Sequence, residues 1–349
     1  MSESRTAGLP RQGQARVTAA EWFAGGQRIW YDPDSARVLS EKEAAATPGA
    51  LRVFERVAAG GHGPDEDAAW LTMLPGFPDG SYGWAQVDRV LGDRPRPRLY
   101  VEPVGQGDSD KPRDYRYSTV ERADLIQALW RHHRVRATVV VTFDYTSLAL
   151  LELLRRQLDR PASGGPAAPV ITAAFMINGG LFADGHTHPW RSTPLLRSPL
   201  GALAMRGWQR SPRAFNTGIK QAQLYARGYH PAPEELADLW SAITRRDGAA
   251  FVHSAAGFTA EHRRHAQRWD LAAIARDLGD TVALYVGGSD EDPYEHRQIK
   301  ATRERVPEAG VLTFPGGHLT TTEHPDLLAA AIRDIAIRHG VGTSANANR

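Results

Sequence analysis

Residues Val139–Ser147 read VVVTFDYTS, and the fold turns on this stretch. The run Thr138–Phe143 is short, branched and almost wholly apolar, as expected of a strand buried on both faces in a parallel sheet. Tyr145–Leu158 (YTSLALLELLRRQL) follows with no spacer and has the spacing of an amphipathic helix. Asp144 therefore stands where a strand turns directly into a helix. A side chain on so tight a turn projects from the end of the sheet, beside a helix N-terminus that favours an anion. The plainer role for an Asp in that place is a helix N-cap.

Runs of the same kind recur on both sides of this segment. Trp70–Leu74, Arg98–Val101, Val170–Ile177, Thr281–Val286 and Val311–Phe314 are short and largely apolar. Val120–Arg131 and Pro325–His339 carry apolar residues at helical spacing between or after them. Gln27–Tyr31 and Leu51–Val57 come first and alternate, with Gly-rich turns nearby. The order predicts an α/β fold with a mostly parallel central sheet flanked by helices. The alternation stops at Leu181–Asp277, where Pro-rich turns, tryptophans and the helix Pro233–Arg246 replace strands. An insert there predicts a helical cap (181–277) over the carboxyl edge of a core made of 18–180 and 278–340. The polar ends 1–17 and 341–349 are expected to be flexible tails.

Composition narrows the chemistry. The chain has 349 residues and 42% hydrophobic residues, enough for a large core. Lys plus Arg exceed Asp plus Glu by 42 to 40, which gives no reason to expect a nucleic-acid partner. No cysteine is present, so disulfides, thiolate catalysis and iron–sulfur centres are excluded. That absence fits a cytoplasmic protein. No apolar run is long enough to span a membrane, and the first residues lack the pattern of a secretory signal. His186 and His188 form an H-x-H with no further ligand pattern, so no metal and no cofactor is expected. The partner is expected to be a small-molecule substrate, and a homodimer is compatible with the composition.

Four further segments can carry chemistry. Phe314–Pro325 (FPGGHLTTTEHP) presents His318 on a Gly-Gly turn between the last strand and the last helix. Val286–Pro293 (VGGSDEDP) puts Asp290 just beyond a strand, where it could orient a histidine, with Asp292 as the weaker candidate. Leu74–Trp84 (LPGFPDGSYGW) could aim the Phe77 N–H at a developing negative charge. Glu102–Pro112 (EPVGQGDSDKP) is Gly-rich but lacks the spacing of a phosphate loop. In chain order these give nucleophile, acid, base.

The set LPGFPDGSYGW, GQGDSDKP, FDY, INGGLF, GYHPAPEELADLW, HRRHAQRW and GGH resembles the α/β-hydrolase superfamily over roughly residues 20–340. It is most similar to the epoxide hydrolase and haloalkane dehalogenase branch, and within it to proteins related to the mesoderm-specific transcript protein. The resemblance implies an α/β-hydrolase fold and an Asp144 nucleophile that attacks an sp³ carbon to form an ester. It implies His318 as the base that activates water, Asp290 behind it, and an oxyanion hole of the Phe77 and Tyr145 N–H groups. The branch's elbow usually reads G-H-D-x-G, whereas here Thr142, Phe143, Asp144, Tyr145 and Thr146 stand, and Pro75 replaces the usual His before Gly76. Tyr145 occupies the place where dehalogenases carry a halide-binding Trp, which favours an epoxide. Tyr225 and Tyr229 in the expected cap would then hydrogen-bond the epoxide oxygen, with Trp208 as a pocket residue.

Overall fold

The computed structural model describes residues 15–58, 69–77, 79–92, 96–160, 169–185, 207, 209–247, 258–293 and 296–339. Nine strands form one sheet: β1 (Gln27–Asp32), β2 (Arg37–Leu39), β3 (Leu51–Ala58), β4 (Trp70–Leu74), β5 (Arg98–Val101), β6 (Ala137–Phe143), β7 (Val170–Ile177), β8 (Ala283–Ser289) and β9 (Gly310–Phe314). Their order is β2-β1-β3-β5-β4-β6-β7-β8-β9. The first three strands and the β3–β5 pairing are antiparallel. From β5 to β9 every pairing is parallel.

Helices fill both faces. In chain order they are α1 (Ala19–Ala24), α2 (Glu41–Ala45), α3 (Ala85–Leu91), α4 (Thr119–His132), α5 (Thr146–Leu158), α6 (Pro212–Gln221), α7 (Pro233–Thr244), α8 (Phe258–Arg264), α9 (Leu271–Leu278), α10 (His296–Arg305), α11 (Thr320–Glu323) and α12 (Pro325–His339). The pleat of β6 shows why its sequence is almost wholly apolar. Val140 packs with Leu125, Leu129 and Leu150 of α4 and α5, while Val139, Val141 and Phe143 pack with Leu328 and Ile332 of α12. Each face of the strand meets a helix layer, and its two polar residues, Thr138 and Thr142, are buried and hydrogen-bonded to Thr72 and Ser147.

No strand occurs among the described residues between β7 and β8, as expected; α6 to α9 do. They divide between two places. Phe215, Ile219, Leu239 and Ile243 of α6 and α7 join the apolar cluster on the α3/α12 side. Trp269, Leu271, Ile274 and Leu278 join α4 and α5 instead. Trp269 Nε1 also donates to the buried Glu152 of α5 at 2.7 Å. The last part of the expected cap interval thus lies in the helix layer of the core.

Strand β8 begins two residues later than the sequence pattern predicts and continues through Gly287-Gly288 to Ser289. Close packing explains the glycines. A Cβ on Gly288 would lie 2.3 Å from Ile299 of α10, and one on Gly287 would touch Phe175 and Phe314 at 3.0 Å. The parallel strands all run the same way. Hence the segments after β4, β5, β6, β7, β8 and β9 converge on one edge of the sheet.

Candidate active site

Asp144 ends β6 with φ 56°, in the left-handed region. That conformation costs a non-glycine residue roughly 1–2 kcal/mol and persists only where the surroundings enforce it. Here the Asp144 N–H donates to Ile177 O at 2.9 Å, and its own carbonyl accepts from the Ser147 N–H at 3.1 Å. The side chain does not cap α5. Its Oδ2 accepts from the Phe77 N–H at 3.0 Å instead. Its Oδ1 lies 3.8 Å from His318 Nε2.

The absent elbow glycines are compensated from outside the elbow. Thr146 folds its hydroxyl back to donate to Phe143 O at 2.9 Å, and Thr142 and Ser147 share a hydrogen bond of 2.9 Å. Clearance comes from Gly179, where a Cβ would lie 2.2 Å from Ser147 Oγ and 3.0 Å from Asp144 O. It comes also from Gly76, where a Cβ would lie 2.2 Å from the Phe143 ring. The Gly76–Phe77 turn is held by Gln106, whose Nε2 donates to Gly76 O at 3.1 Å. The Gly-rich loop after β5 is therefore a support for the turn that carries the Phe77 N–H. Tyr145 stands at the N-cap of α5, and its ring is buried, edge-on to Phe77 and beneath the Arg122 guanidinium.

His318 is buried beyond Gly316 (φ 113°) and Gly317. Its Nδ1 lies 3.1 Å from Asp292 Oδ2. The expectation that Asp290 stands behind the histidine is thus corrected to Asp292. Asp290 is exposed, and its Oδ1 accepts from the Gly316 N–H at 3.1 Å. A turn after β8, closed by the Asp292 N–H on Ser289 O at 3.3 Å, leaves Asp290 at the surface and brings Asp292, 2% exposed, into the interior. Asn178, which the sequence reading did not single out, locks the assembly. Its Nδ2 donates to Ser289 Oγ at 3.0 Å and to His318 O at 2.9 Å, and its Oδ1 accepts from the Ser289 N–H at 2.8 Å.

Of the three expected pocket residues, Trp208 lies outside the described residues. Tyr225 and Tyr229 stack at 5.2 Å after α6. The Tyr229 hydroxyl donates to Glu235 at 2.9 Å. The Tyr225 hydroxyl is buried near Glu235 but meets hydrogen-bond geometry with no described group. The His318 loop fixes Tyr225: Leu319 N–H donates to Leu224 O at 2.9 Å, and a Cβ on Gly317 would lie 2.5 Å from the Tyr225 carbonyl carbon. Glu323 accepts from both the Ala226 and Gly317 N–H groups at 3.2 and 3.1 Å. Tyr225 lines a small cleft together with Asp79, Tyr82, Glu235 and Thr322.

Two buried carboxyls border this centre. Burial pushes Glu102 up to about 7, against the pull of hydrogen bonds from the Ser81 hydroxyl and N–H. Burial also pushes Asp79 up to about 7, with Asp144 and Glu102 pushing further and its own backbone N–H and His318 pulling back. Away from the site, Glu55, His132 and His133 bring donor atoms within 4.8 Å of one another. Glu55 is already satisfied by His133 Nε2 at 2.8 Å and Gln27 Nε2 at 2.9 Å, so the group needs no ion. His186 and His188 lie outside the described residues.

A mostly parallel sheet with a left-handed Asp after its sixth strand, a backbone N–H on its carboxylate and a buried His–Asp pair facing it defines an α/β-hydrolase. The pattern of the alpha/beta hydrolase family matches residues 73–331, and the chain belongs to that family. Its relatives include LipZ of Mycobacterium tuberculosis, named as a hydrolase, which is 28% identical over 274 residues, 78% of this chain and 89% of LipZ. The human mesoderm-specific transcript homolog protein is 28% identical over 235 residues, 64% of each chain. Similar solved structures are a thermophilic esterase from Thermogutta terrifontis (TM-score 0.65, 16% identity, 90% of this chain and 100% of that one) and the haloalkane dehalogenase DbeA from Bradyrhizobium elkani (TM-score 0.64, 15% identity, 82% and 94%). At such identities the structures establish the fold alone.

The exchange of Asp290 for Asp292 is directly testable. Asp292→Asn should cut hydrolytic turnover by about 10²-fold or more, because the imidazolium loses its partner and the ring its preferred tautomer. Asp290→Asn, which only weakens a loop contact, should stay within about tenfold of wild type. Steady-state turnover of both variants on one substrate decides between them.

Asp79 also makes a stability prediction. In the unfolded chain its carboxyl ionises near the ordinary value of about 4, whereas the folded protein keeps the proton until about 7. The folded state then binds more protons than the unfolded one in this window, so Asp79 removes stability as pH rises through it. Asp79→Asn should therefore melt several degrees above wild type at pH 8. The gap should shrink toward pH 4 in a thermal-melt series.

Proposed function

We propose that this hydrolase forms a covalent alkyl-enzyme ester on Asp144 and hydrolyses it with a water activated by His318, acting on a small organic epoxide. One observation carries the reading: a carboxylate, not a hydroxyl, occupies the strand-to-helix turn, with Phe77 N–H on one oxygen and His318 Nε2 3.8 Å from the other. That separation is longer than a hydrogen bond and leaves a water free to touch both groups from the side.

The roles follow from charge. A carboxylate is a weak nucleophile unless it is aimed and held apart from bulk water, and the buried turn does both. Alkylation by Asp144 needs no base. The ester it forms does, since water attacks slowly without loss of a proton. His318 takes that proton, and Asp292 holds the resulting imidazolium in place. The Phe77 N–H, already on Asp144 Oδ2, and the neighbouring Tyr145 N–H meet the oxyanion that develops at the same carboxyl. A single pair of donors thus serves the nucleophile and the tetrahedral intermediate.

The leaving group selects the substrate class. Tyr145 offers no ring N–H to a halide, and its hydroxyl is turned into the core. Tyr225 lines the cleft, whereas Tyr229 is not among its lining residues and gives its hydroxyl to Glu235. We therefore give Tyr225 the contact to the epoxide oxygen and Tyr229 the task of bracing it. The segment from α6 to α7 acts as the cap that carries both.

Intact-protein mass after mixing with a panel of epoxides and alkyl halides tests this reading. Asp144→Ala should gain no mass and lose turnover. His318→Gln should gain one equivalent of an epoxide and then stall, with the adduct on the peptide that contains Asp144. A His318 variant that takes up no label, where wild type does, would overturn the role of Asp144 and point to a nucleophile that the histidine activates.

A further inference from the structure

Asp79 follows the Gly76–Phe77 turn and stands at the start of the Gly80–Trp84 turn of 3₁₀ helix. An Asp in that place ordinarily caps the helix. This one makes no capping hydrogen bond. Its side chain is buried, 3% exposed, and neither carboxyl oxygen has a hydrogen-bond partner in another described residue. Two unpaired buried oxygens are unfavourable if charged. The fold is nonetheless built around the group: a Cβ on Gly83 would lie 1.9 Å from Asp79 Oδ2. Asp79 lines the same cleft as Tyr225. Both His318 and Asp144 are close enough to act on it electrostatically.

From this juxtaposition we propose that Asp79 is the catalytic acid of the reaction, delivering its proton to the oxygen that leaves when Asp144 is alkylated. The inference rests on the epoxide reading above. An Asp144 oxygen bonds to one epoxide carbon, and the ring C–O bond breaks with its electron pair on oxygen. That oxygen takes the Asp79 proton and becomes a hydroxyl, leaving Asp79 as a carboxylate. Water then attacks the ester carbonyl as His318 removes one of its protons. Collapse expels the alkoxide, which takes the proton left on the Asp144 carboxyl, giving the diol and the Asp144 carboxylate. The imidazolium of His318 returns its proton to Asp79. Protons balance over the cycle, and only water is consumed.

The alternatives within the cleft are poorer acids. Burial pushes the Tyr225 hydroxyl further above its ordinary value, with Glu235, Tyr229 and Asp79 pushing the same way. Tyr225 therefore donates a hydrogen bond and does not yield its proton. Glu235 is engaged by the Tyr229 hydroxyl, and Arg16 faces it. A protonated Asp79 is matched to work near neutral pH, and esterification of Asp144 removes the charge that helps it keep its proton.

The test is the single-turnover rate of ester formation, read by mass spectrometry in the His318→Gln background with and without Asp79→Asn. Asp79→Asn should slow alkylation by an epoxide by about 10²-fold or more. The loss should be smaller for a trifluoromethyl-substituted oxirane, whose alkoxide is less basic and needs the proton less. A structural role would slow both epoxides alike. Wild-type alkylation, measured by rapid quench, should fall as pH rises above about 7, which keeps the proposal testable without a variant. An Asp79→Asn protein that is alkylated at the wild-type rate, or a wild-type rate that does not fall above neutral pH, overturns the role of Asp79 and leaves the Asp144 ester standing. Absence of any adduct with any epoxide overturns both.

Discussion

The left-handed turn at Asp144 is the constraint to which the rest of the site is fitted. With φ at 56°, the chain reverses within one residue from the end of β6 into α5. The side chain is thrown outward, beyond the sheet edge, where no neighbouring strand can cover it. The reversal also drives α5 hard against the strand, and something must give up volume. In this chain the elbow keeps Thr142 and Thr146, and the glycines sit opposite, at Gly76 and Gly179. Steric clearance is a property of the pair of surfaces, so either side can supply it. Thr146 then gains what a glycine could not, a hydroxyl on the Phe143 carbonyl at 2.9 Å.

The sheet topology turns this one local event into a site. Parallel strands present their carboxyl ends together, so loops far apart in sequence meet at Asp144: Phe77 after β4, Gln106 after β5, Asn178 after β7, Asp292 after β8 and His318 after β9. Asn178 shows how tightly they are tied. One amide spans β7, the end of β8 and the His318 carbonyl, leaving none of its own polar atoms unpaired. Such networks hold a geometry because each partner would otherwise be a buried unsatisfied group.

The strand–turn–helix at Asp144, the parallel block and His318 were legible in the sequence because each leaves a pattern of its own: an apolar run, a helical period, a glycine pair. The acid behind the histidine was not. Asp290 and Asp292 both follow β8, and no pattern tells which of two nearby carboxylates turns inward; that depends on Ser289 and Asn178 pinning the strand end. Strand β2 was missed for a different reason. It has three residues at the sheet edge and gains its identity from pairing with β1, not from its own composition. Asp79 was quoted only as part of a turn. Whether a helix-start Asp caps or stays unpaired is decided by where its carboxyl points, and the residue type is the same in both cases.

Charge is what finally distinguishes this centre from an ordinary polar cluster. Asp144 and Asp292 flank the His318 imidazole, and Asp79 lies within electrostatic reach of it, in a largely buried space. Three full negative charges there could not be offset by one histidine, and the desolvation cost would rise with each. Asp292 is bound to the histidine. Asp144 has a backbone N–H on its carboxylate. Among the described residues Asp79 has no paired cation and no donor beyond its own backbone, so it is the member that holds a proton. A carboxyl kept neutral this way carries no counter-ion into the cleft. On the proposed reading, Asp79 and Asp144 form a pair in which one group gives up negative charge as the other takes it on. That pairing is what opening a strained C–O bond by a carboxylate requires.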